Sequence, residues 1–364
     1  MSLLGSLSFK GFRKLFSHIE SFIGLDLSGE SIKLVEVGKR EARAYLETYG
    51  ELNVARWRQE KGSTSSEAIG QDERVGMVKD LMREAQAKGR YCVVGVPVSQ
   101  SFIVPIELPP RLSPKEIDAA IPFEARRYIP VPLDEVFLEW RYLSAYRQGK
   151  EARRVLLIAV PKDVVNQYDK LIKSVGLEFL SYEIEPFSIV RSGVSAQERR
   201  GMLVLDIGFT RTNVVALLDG QVEIVQSISQ GSHDWTLALA RSLSVSEERA
   251  EELKKLHGIS RRSEEREIGQ VLTPLIDRIF MQSQSLGREF TESTGRAVER
   301  IILTGGGSRL PGFPEYFSEV MGLEVRIIDS FKKIVYPATL APIIQSINPS
   351  MSIAAGLALK GFEM

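Results

Sequence analysis

Cysteine and histidine are almost missing from this chain. Its 364 residues include one cysteine, Cys92, and three histidines, His18, His233 and His257. A single cysteine excludes an internal disulfide. Its apolar surroundings, Tyr91-Cys92-Val93-Val94, mark it as a buried strand residue. The histidines are scattered and form no ligand-like cluster, which argues against a zinc site. An excess of either charge is also lacking, since 47 basic residues balance 47 acidic ones. That disfavours a generally basic nucleic-acid binder, and no nucleic-acid partner is expected. No apolar run approaches the ~18–20 residues needed to span a bilayer. Runs such as Val155-Leu156-Leu157-Ile158-Ala159-Val160 read as buried strands. The opening MSLLGSLSFKGFRKLF lacks the apolar core and cleavage site of a signal peptide, so the expected compartment is the cytoplasm. No G-x-x-x-x-G-K-S/T loop occurs, which sets P-loop proteins aside.

What is present reads as a globular chain long enough for two lobes. Residues 7–22 place Phe9, Phe12, Leu15, Phe16, Ile19 and Phe22 at helical spacing, with Lys10, Arg13 and Lys14 on or beside the polar face. This predicts an amphipathic helix, docked either on the protein's own body or on a membrane surface or partner. Residues 23–37 read as strand, turn and strand. A loop at 60–74, a helix at about 74–88 and a strand at 91–96 follow. Residues 104–148 differ in character, because Pro105, Pro109, Pro110, Pro114, Pro122, Pro130 and Pro132 punctuate them. Within them, Ser113 and Glu116 predict a capping box that opens a helix over 114–128. We read this stretch as a small inserted subdomain. Strand 154–160 and helix 162–175 resume an α/β rhythm.

A second lobe is expected from about residue 201. It opens with strands 202–207 and 213–218, and Asp219-Gly220 predicts a hairpin turn. Residues 232–295 read as mostly helical. Strand 299–303 runs into Gly305-Gly306-Gly307, and SIAAGLALKGF closes the chain as a small-residue helix.

An internal repeat organises these pieces. IGLDLSGESIKLVEV (23–37) aligns with LVLDIGFTRTNVVAL (203–217), so that Asp26 falls on Asp206 and Leu34 on Val214. Each copy is an apolar strand ending in Asp, a turn rich in small or hydroxyl residues, and another apolar strand. Turns of this kind present backbone N–H groups and hydroxyls to phosphate oxygens. An Asp at each strand end can face the cleft between lobes, where carboxylates suit a hydrated Mg²⁺. Asp26 and Asp206 are therefore the candidate metal residues. Ser28, Gly29, Ser31 and Lys33 in one copy, with Gly208, Thr210, Thr212 and Asn213 in the other, are the candidate phosphate contacts.

The two hairpins resemble the phosphate motifs of the actin, sugar-kinase and heat-shock-chaperone ATPase superfamily. Ile301-Ile302-Leu303-Thr304-Gly305-Gly306-Gly307-Ser308 resembles its adenosine motif, and Ala250-Glu251-Glu252-Leu253-Lys254 resembles the A-E-x-x-K element of the bacterial actins. Within that superfamily the chain is similar to the PilM family, itself related to the division protein FtsA. The stretches that carry this are the hairpins, the LPPRLSPKEIDAAIPFEARRYIPVPLDE insert, YEIEPFSIVRS and NPSMSIAAGLALKGF. Two departures stand out. Ser28 occupies a position where relatives have Gly, with Glu30 also in that turn, and Phe209 replaces a small residue.

The resemblance implies an α/β actin-like ATPase fold, two lobes each with a central mixed sheet, plus a small inserted subdomain. It divides the chain into an N-terminal helix (1–22), a first lobe (23–104), an inserted partner-binding subdomain (105–180, returning to the first lobe up to about 200) and a second lobe (201–364). ATP and Mg²⁺ are the implied cofactors, with Glu251, Lys254, Gly305, Gly306, Gly307 and Ser308 toward the nucleoside. Glu185, with Glu183 beside it, is the candidate to orient a hydrolytic water, and hydrolysis is expected to be slow or absent. The implied role is a cytoplasmic scaffold of type IV pilus assembly, peripheral to the inner membrane. It would bind the N-terminal tail of the inner-membrane protein PilN and link indirectly to the motor ATPases and a PilO-containing complex; a homo-oligomer or ring is compatible with that role. Ile117, Ile121, Phe123, Arg126, Arg127 and Tyr128 are the expected partner contacts. The alternatives are an FtsA-like polymerising actin homologue tethered to membrane, and a small-metabolite kinase of the same superfamily.

Overall fold

The computed structural model describes residues 21–27, 30–61, 69–109, 112–143, 153–259 and 266–364. The helix expected at 7–22 lies outside these residues except for Ser21 and Phe22, which open the first strand. Ser28 and Gly29 also lie outside them.

β1 (Ser21–Asp26) and β2 (Ser31–Arg40) form the first hairpin, and β3 (Arg43–Asn53) extends it antiparallel. Helices α1 (Val54–Glu60) and α2 (Gln71–Glu84) lead to β4 (Tyr91–Val96), parallel to β1. Cys92 is buried in β4, as its neighbours imply. The chain then builds a separate unit from β5 (Phe102–Leu108), α3 (Pro114–Ala125), β6 (Val136–Tyr142) and β7 (Arg153–Pro161), an antiparallel sheet in the order β5-β7-β6. α4 (Lys162–Ser174) returns it to β8 (Glu178–Ile184), parallel to β4, and α5 (Glu185–Gly193) follows without a loop.

The second half opens with β9 (Gly201–Ile207), β10 (Thr212–Leu218) and β11 (Gln221–Ile228). Asp219 and Gly220 turn with φ of 53° and 72°, the positive values a tight hairpin requires. Helices α6 (Ser232–Leu243), α7 (Glu247–His257) and α8 (Arg266–Thr294) precede β12 (Val298–Thr304), which lies parallel to β9. α9 (Phe313–Met321) and β13 (Glu324–Ile327) complete the second sheet. The chain then crosses back to the first sheet. β14 (Ile334–Val335) pairs with β3, α10 (Ala341–Ile347) follows, and α11 (Ser352–Glu363) packs on β1, β2 and α5.

Five strands of each large sheet repeat in the same order, and β14 adds a sixth to the first. The first runs β14-β3-β2-β1-β4-β8 and the second β11-β10-β9-β12-β13. In both, two antiparallel pairings on one side of the Asp-bearing strand are matched by parallel pairings on the other. β1 and β9 are covered on both faces, which is why their sequences are continuously apolar and do not alternate.

The capping box is present: the Ser113 N–H donates to Glu116 Oε2 at 2.7 Å, and the Glu116 N–H donates to Ser113 Oγ. The sheet beside this helix decides its burial. Ile117 and Ile121 turn inward onto Val155, Leu157 and Ala159 of β7. They are core residues, which corrects their expected place among the partner contacts. The unit's own sheet supplies the apolar face that a lone insert helix would have lacked. Phe123, Arg126, Arg127 and Tyr128 remain on the surface, with Arg126 over the Phe123 ring. Among the described residues, no helix is long and apolar enough to cross a membrane.

Candidate nucleotide cleft

The paired registers of the two hairpins place the site. Asp26 at the end of β1 faces Lys33 across the ladder, with Lys33 Nζ 3.6 Å from Asp26 Oδ2. Asp206 at the end of β9 faces Asn213 in the equivalent pair. Glu185 opens α5, and Val98 donates a main-chain hydrogen bond to it. All three carboxylates are buried, and they feel one another. Burial pushes the Asp206 carboxyl up to about 6, and the charge of Asp26 adds to the effect against a hydrogen bond from Asn213. Burial first, then the charges of Asp26 and Asp206, push Glu185 well above the usual carboxylate range.

The triple glycine begins beside Asp206, because Thr304 is its partner on β12. Gly305 has a φ of +80°, and a Cβ there would stand 2.5 Å from the Ile207 carbonyl oxygen and 2.6 Å from Asp206 Oδ1. Only glycine lets the loop lie this close to the hairpin. A Cβ on Gly306 would meet nothing within 4 Å, so that stretch of backbone is open. Beyond it lies a cavity of 480 Å³, lined by Gly306, Gly307, Glu251, Lys254, Trp235 and Arg309 among others. Its size falls in the range of small-molecule sites.

The A-E-x-x-K residues are locked together. Lys254 is buried and donates to the Ser232 carbonyl oxygen at 2.9 Å and to Thr236 Oγ1 at 2.8 Å, with Glu251 Oε2 2.5 Å away. Desolvation lowers the Lys254 pKa against the pull of Glu251. The pair therefore forms a fixed wall of the cavity.

Other expected contacts have partners inside the chain. Thr212 Oγ1 donates to the Gln230 carbonyl oxygen at 2.8 Å, and Ser308 Oγ donates to that of Gly305 at 2.7 Å. These hydroxyls hold the turn and the glycine loop in shape. The Gly208 N–H donates to the Arg211 carbonyl oxygen at 2.9 Å and closes the second turn, leaving Thr210 exposed at its tip. Ser31 is half-buried at the start of β2. Phe209 stacks on His233 with 4.4 Å between ring centres, outside the turn. Glu183 is not in the cleft. It pairs with Arg191 at 2.7 Å and accepts from Ser188 at 2.9 Å, because β8 ends and α5 begins between it and Glu185. Trp235 and Arg309 line the cavity with no motif to announce them.

Among the described residues, no group of three or more His, Cys, Asp or Glu side chains could hold a metal ion directly. A hydrated Mg²⁺ needs less, since it keeps several waters and takes one or two carboxylates plus phosphate oxygens. Asp26 and Asp206, one on each of the two large sheets, are two buried carboxylates at the cleft, the number such an ion takes. The buried Asn213 Oδ1, which accepts no hydrogen bond from the chain, adds a further acceptor beside Asp206.

Two sheets of equivalent strand order, paired strands that bring Asp26 and Asp206 to one cleft and a glycine loop beside them define an actin-like protein. Solved structures share this fold. A PilM–PilN type IV pilus biogenesis complex aligns with a TM-score of 0.77 at 24% identity, covering 94% of this chain and 98% of that one. MreB5 of Spiroplasma citri bound to ADP aligns with a TM-score of 0.56 at 12% identity, covering 94% and 97%. The cell division protein FtsA of Streptococcus pneumoniae is 23% identical over 349 residues, 84% of this chain and 75% of that protein. The FtsA of Agrobacterium fabrum matches over a shorter stretch, at 29% identity across 35% of this chain and 34% of that protein. The family profile of the type IV pilus assembly protein PilM matches residues 24–362, and this chain belongs to that family.

Proposed function

We propose that this protein binds ATP with Mg²⁺ between its lobes and serves as a cytoplasmic scaffold, peripheral to the inner membrane, in type IV pilus assembly. The observation that carries the nucleotide reading is the convergence of Asp26, Asp206 and Gly305–Gly307 on one interlobe site beside the 480 Å³ cavity. In this reading Asp26 and Asp206 hold the hydrated Mg²⁺, and Lys33 and the hairpin turns take the phosphates. The glycine loop with Glu251 and Lys254 bounds the nucleoside. Burial and its neighbours favour the neutral form of Glu185, which makes it a poor general base and fits slow hydrolysis at most. Isothermal titration should show adenine nucleotide binding, with Mg·ATP preferred over GTP. Natively purified protein that takes up no adenine nucleotide at millimolar concentration rejects the reading.

The partner in this reading is the N-terminal tail of a PilN-like membrane protein, through which the scaffold reaches the cytoplasmic motor. A groove of 520 Å³ runs between β6 and β8, walled by Phe137, Ile158, Tyr182 and Phe187 and rimmed by Arg141 and Arg191. β6 and β8 are each the last strand of their sheet, so a tail entering here meets two strand edges able to pair with extended backbone. Burying one large apolar side chain is worth about 1.5–3 kcal/mol, so a few anchors support micromolar affinity. A synthetic tail peptide should slow amide hydrogen exchange in 136–142 and 178–187. Protection confined to the exposed Phe123–Tyr128 surface would place the docking face there instead.

A further inference from the structure

We propose that occupancy of the nucleotide cleft is transmitted to the β6–β8 groove through a buried ion pair, Arg154 with Glu223; the inference rests on the nucleotide reading above. The three-stranded unit touches the second half through β5, which packs on β11, and both halves through one face of its central strand. Along β7, Leu156, Ile158 and Val160 point away from α3 into a core shared with β1 and with Met202, Val204 and Val215 of the second sheet. Ile158 and Val160 at the far end of this face line the groove. Arg154 at the near end leaves the unit altogether. Its Nη1 lies 3.2 Å from Glu223 Oε2 on β11 and 3.4 Å from the Ser293 carbonyl oxygen at the end of α8.

The pair is 5% and 0% exposed, so neither charge has water to fall back on. Separating the two would take the buried Arg154 guanidinium from its carboxylate partner, which is costly, and β7 therefore moves with β11 and α8. α8 packs against α6 and α7, and α7 supplies Glu251 and Lys254 to the cavity wall. A ligand that draws the second lobe against the first thus has a rigid route to β7, while the opposite wall of the groove, β8, belongs to the first sheet. The groove lies between β6, paired to β7 and so joined to the second lobe, and β8 of the first sheet. Coupling of this kind is reciprocal, and about fivefold or more is the usual range.

The test is amide hydrogen exchange in β6 and β8 of the full chain, with and without saturating Mg·ATP. The expected result is a change of about fivefold or more in exchange rate at groove amides. In the doubly substituted Arg154→Met/Glu223→Leu protein that change should vanish, while nucleotide affinity stays within about threefold of wild type. Replacing both charges by apolar groups of similar volume commonly preserves folding. Should that protein fail to fold, Arg154→Lys keeps the charge without the rigid fork and should reduce the change. Bound nucleotide with unaltered groove amides overturns the coupling. A change that persists in the substituted proteins overturns the role of the pair. Calorimetry separates these outcomes from failure of nucleotide binding itself, which would remove both readings.

Discussion

Replacing Asp206 with asparagine should stabilise the nucleotide-free protein at pH 7 while weakening Mg·ATP binding. The two effects share one cause. Asp206 is buried beside the charge of Asp26, and its carboxyl titrates at about 6 in the folded protein. That is above its value in the unfolded chain, so the folded state binds the proton more tightly. Stability therefore falls as pH rises from about 4 to about 6 and stays low above that window. Removing the charge should recover about 1–3 kcal/mol at pH 7, and the decline between pH 4 and 6 should shrink. Urea unfolding midpoints at pH 4.5 and pH 7 measure both quantities. Binding should move the other way, because a charged group contacting the metal shell typically contributes about 1.5–3 kcal/mol, a loss of roughly tenfold to a hundredfold. Asp206→Ala should share the binding loss and exceed the effect of Glu185→Ala, which acts on hydrolysis at most. An Asp206 variant that binds Mg·ATP as wild type does would take this residue out of the site.

Gly356→Ala should be the most damaging single methyl in the first lobe, costing about 3 kcal/mol or more. A Cβ at this position would stand 1.9 Å from the Ser188 carbonyl oxygen and 2.5 Å from its carbonyl carbon. Both are main-chain atoms of α5 and cannot swing aside as a flexible side chain would. On the neighbouring strand, a Cβ on Gly24 would stand 2.0 Å from the Ala354 carbonyl oxygen. The last helix is therefore wedged main chain to main chain between α5 and β1. The damage should reach the cleft, since α5 begins with Glu185 and the Gly305 N–H donates to Pro349 just before α11. Chemical denaturation and Mg·ATP titration of the variant should both show losses. Gly306→Ala is the control, because a methyl there meets no neighbour and should change stability by no more than about 0.5–1 kcal/mol. Equal stability of the two variants would mean that the helix does not sit as described.

Much of the site was legible in the sequence for a local reason. A strand ending in Asp, a turn of small residues and a second strand are each encoded within about fifteen residues. Finding the pattern twice announced the duplication. The glycine loop declared itself because three consecutive glycines at 305–307 answer a backbone need: Gly305 adopts a positive φ and lies against Ile207. The Ser113–Glu116 box and the Asp219-Gly220 turn were equally short-range, and both formed as their residue types require.

Only the tertiary structure decided what faces what. The repeat extends to five strands in each sheet, but β3, β4 and β8 share no visible pattern with β11, β12 and β13, because strand order is a matter of long-range pairing. Ile117 and Ile121 carry the same apolar side chains whether they meet a partner or their own sheet; β7, arriving more than thirty residues later, settled that they are core. Glu183 and Glu185 differ by two positions, yet one turns to Arg191 and the other to the cleft, because β8 ends and α5 begins between them. The groove between β6 and β8 and the Arg154–Glu223 pair join segments far apart in the chain. By itself the sequence determined the local backbone geometry and the chemistry available at each turn. Burial, charge pairing and the shape of the cavities came from segments distant in sequence, because a side chain's surroundings are set by whatever the completed fold lays against it.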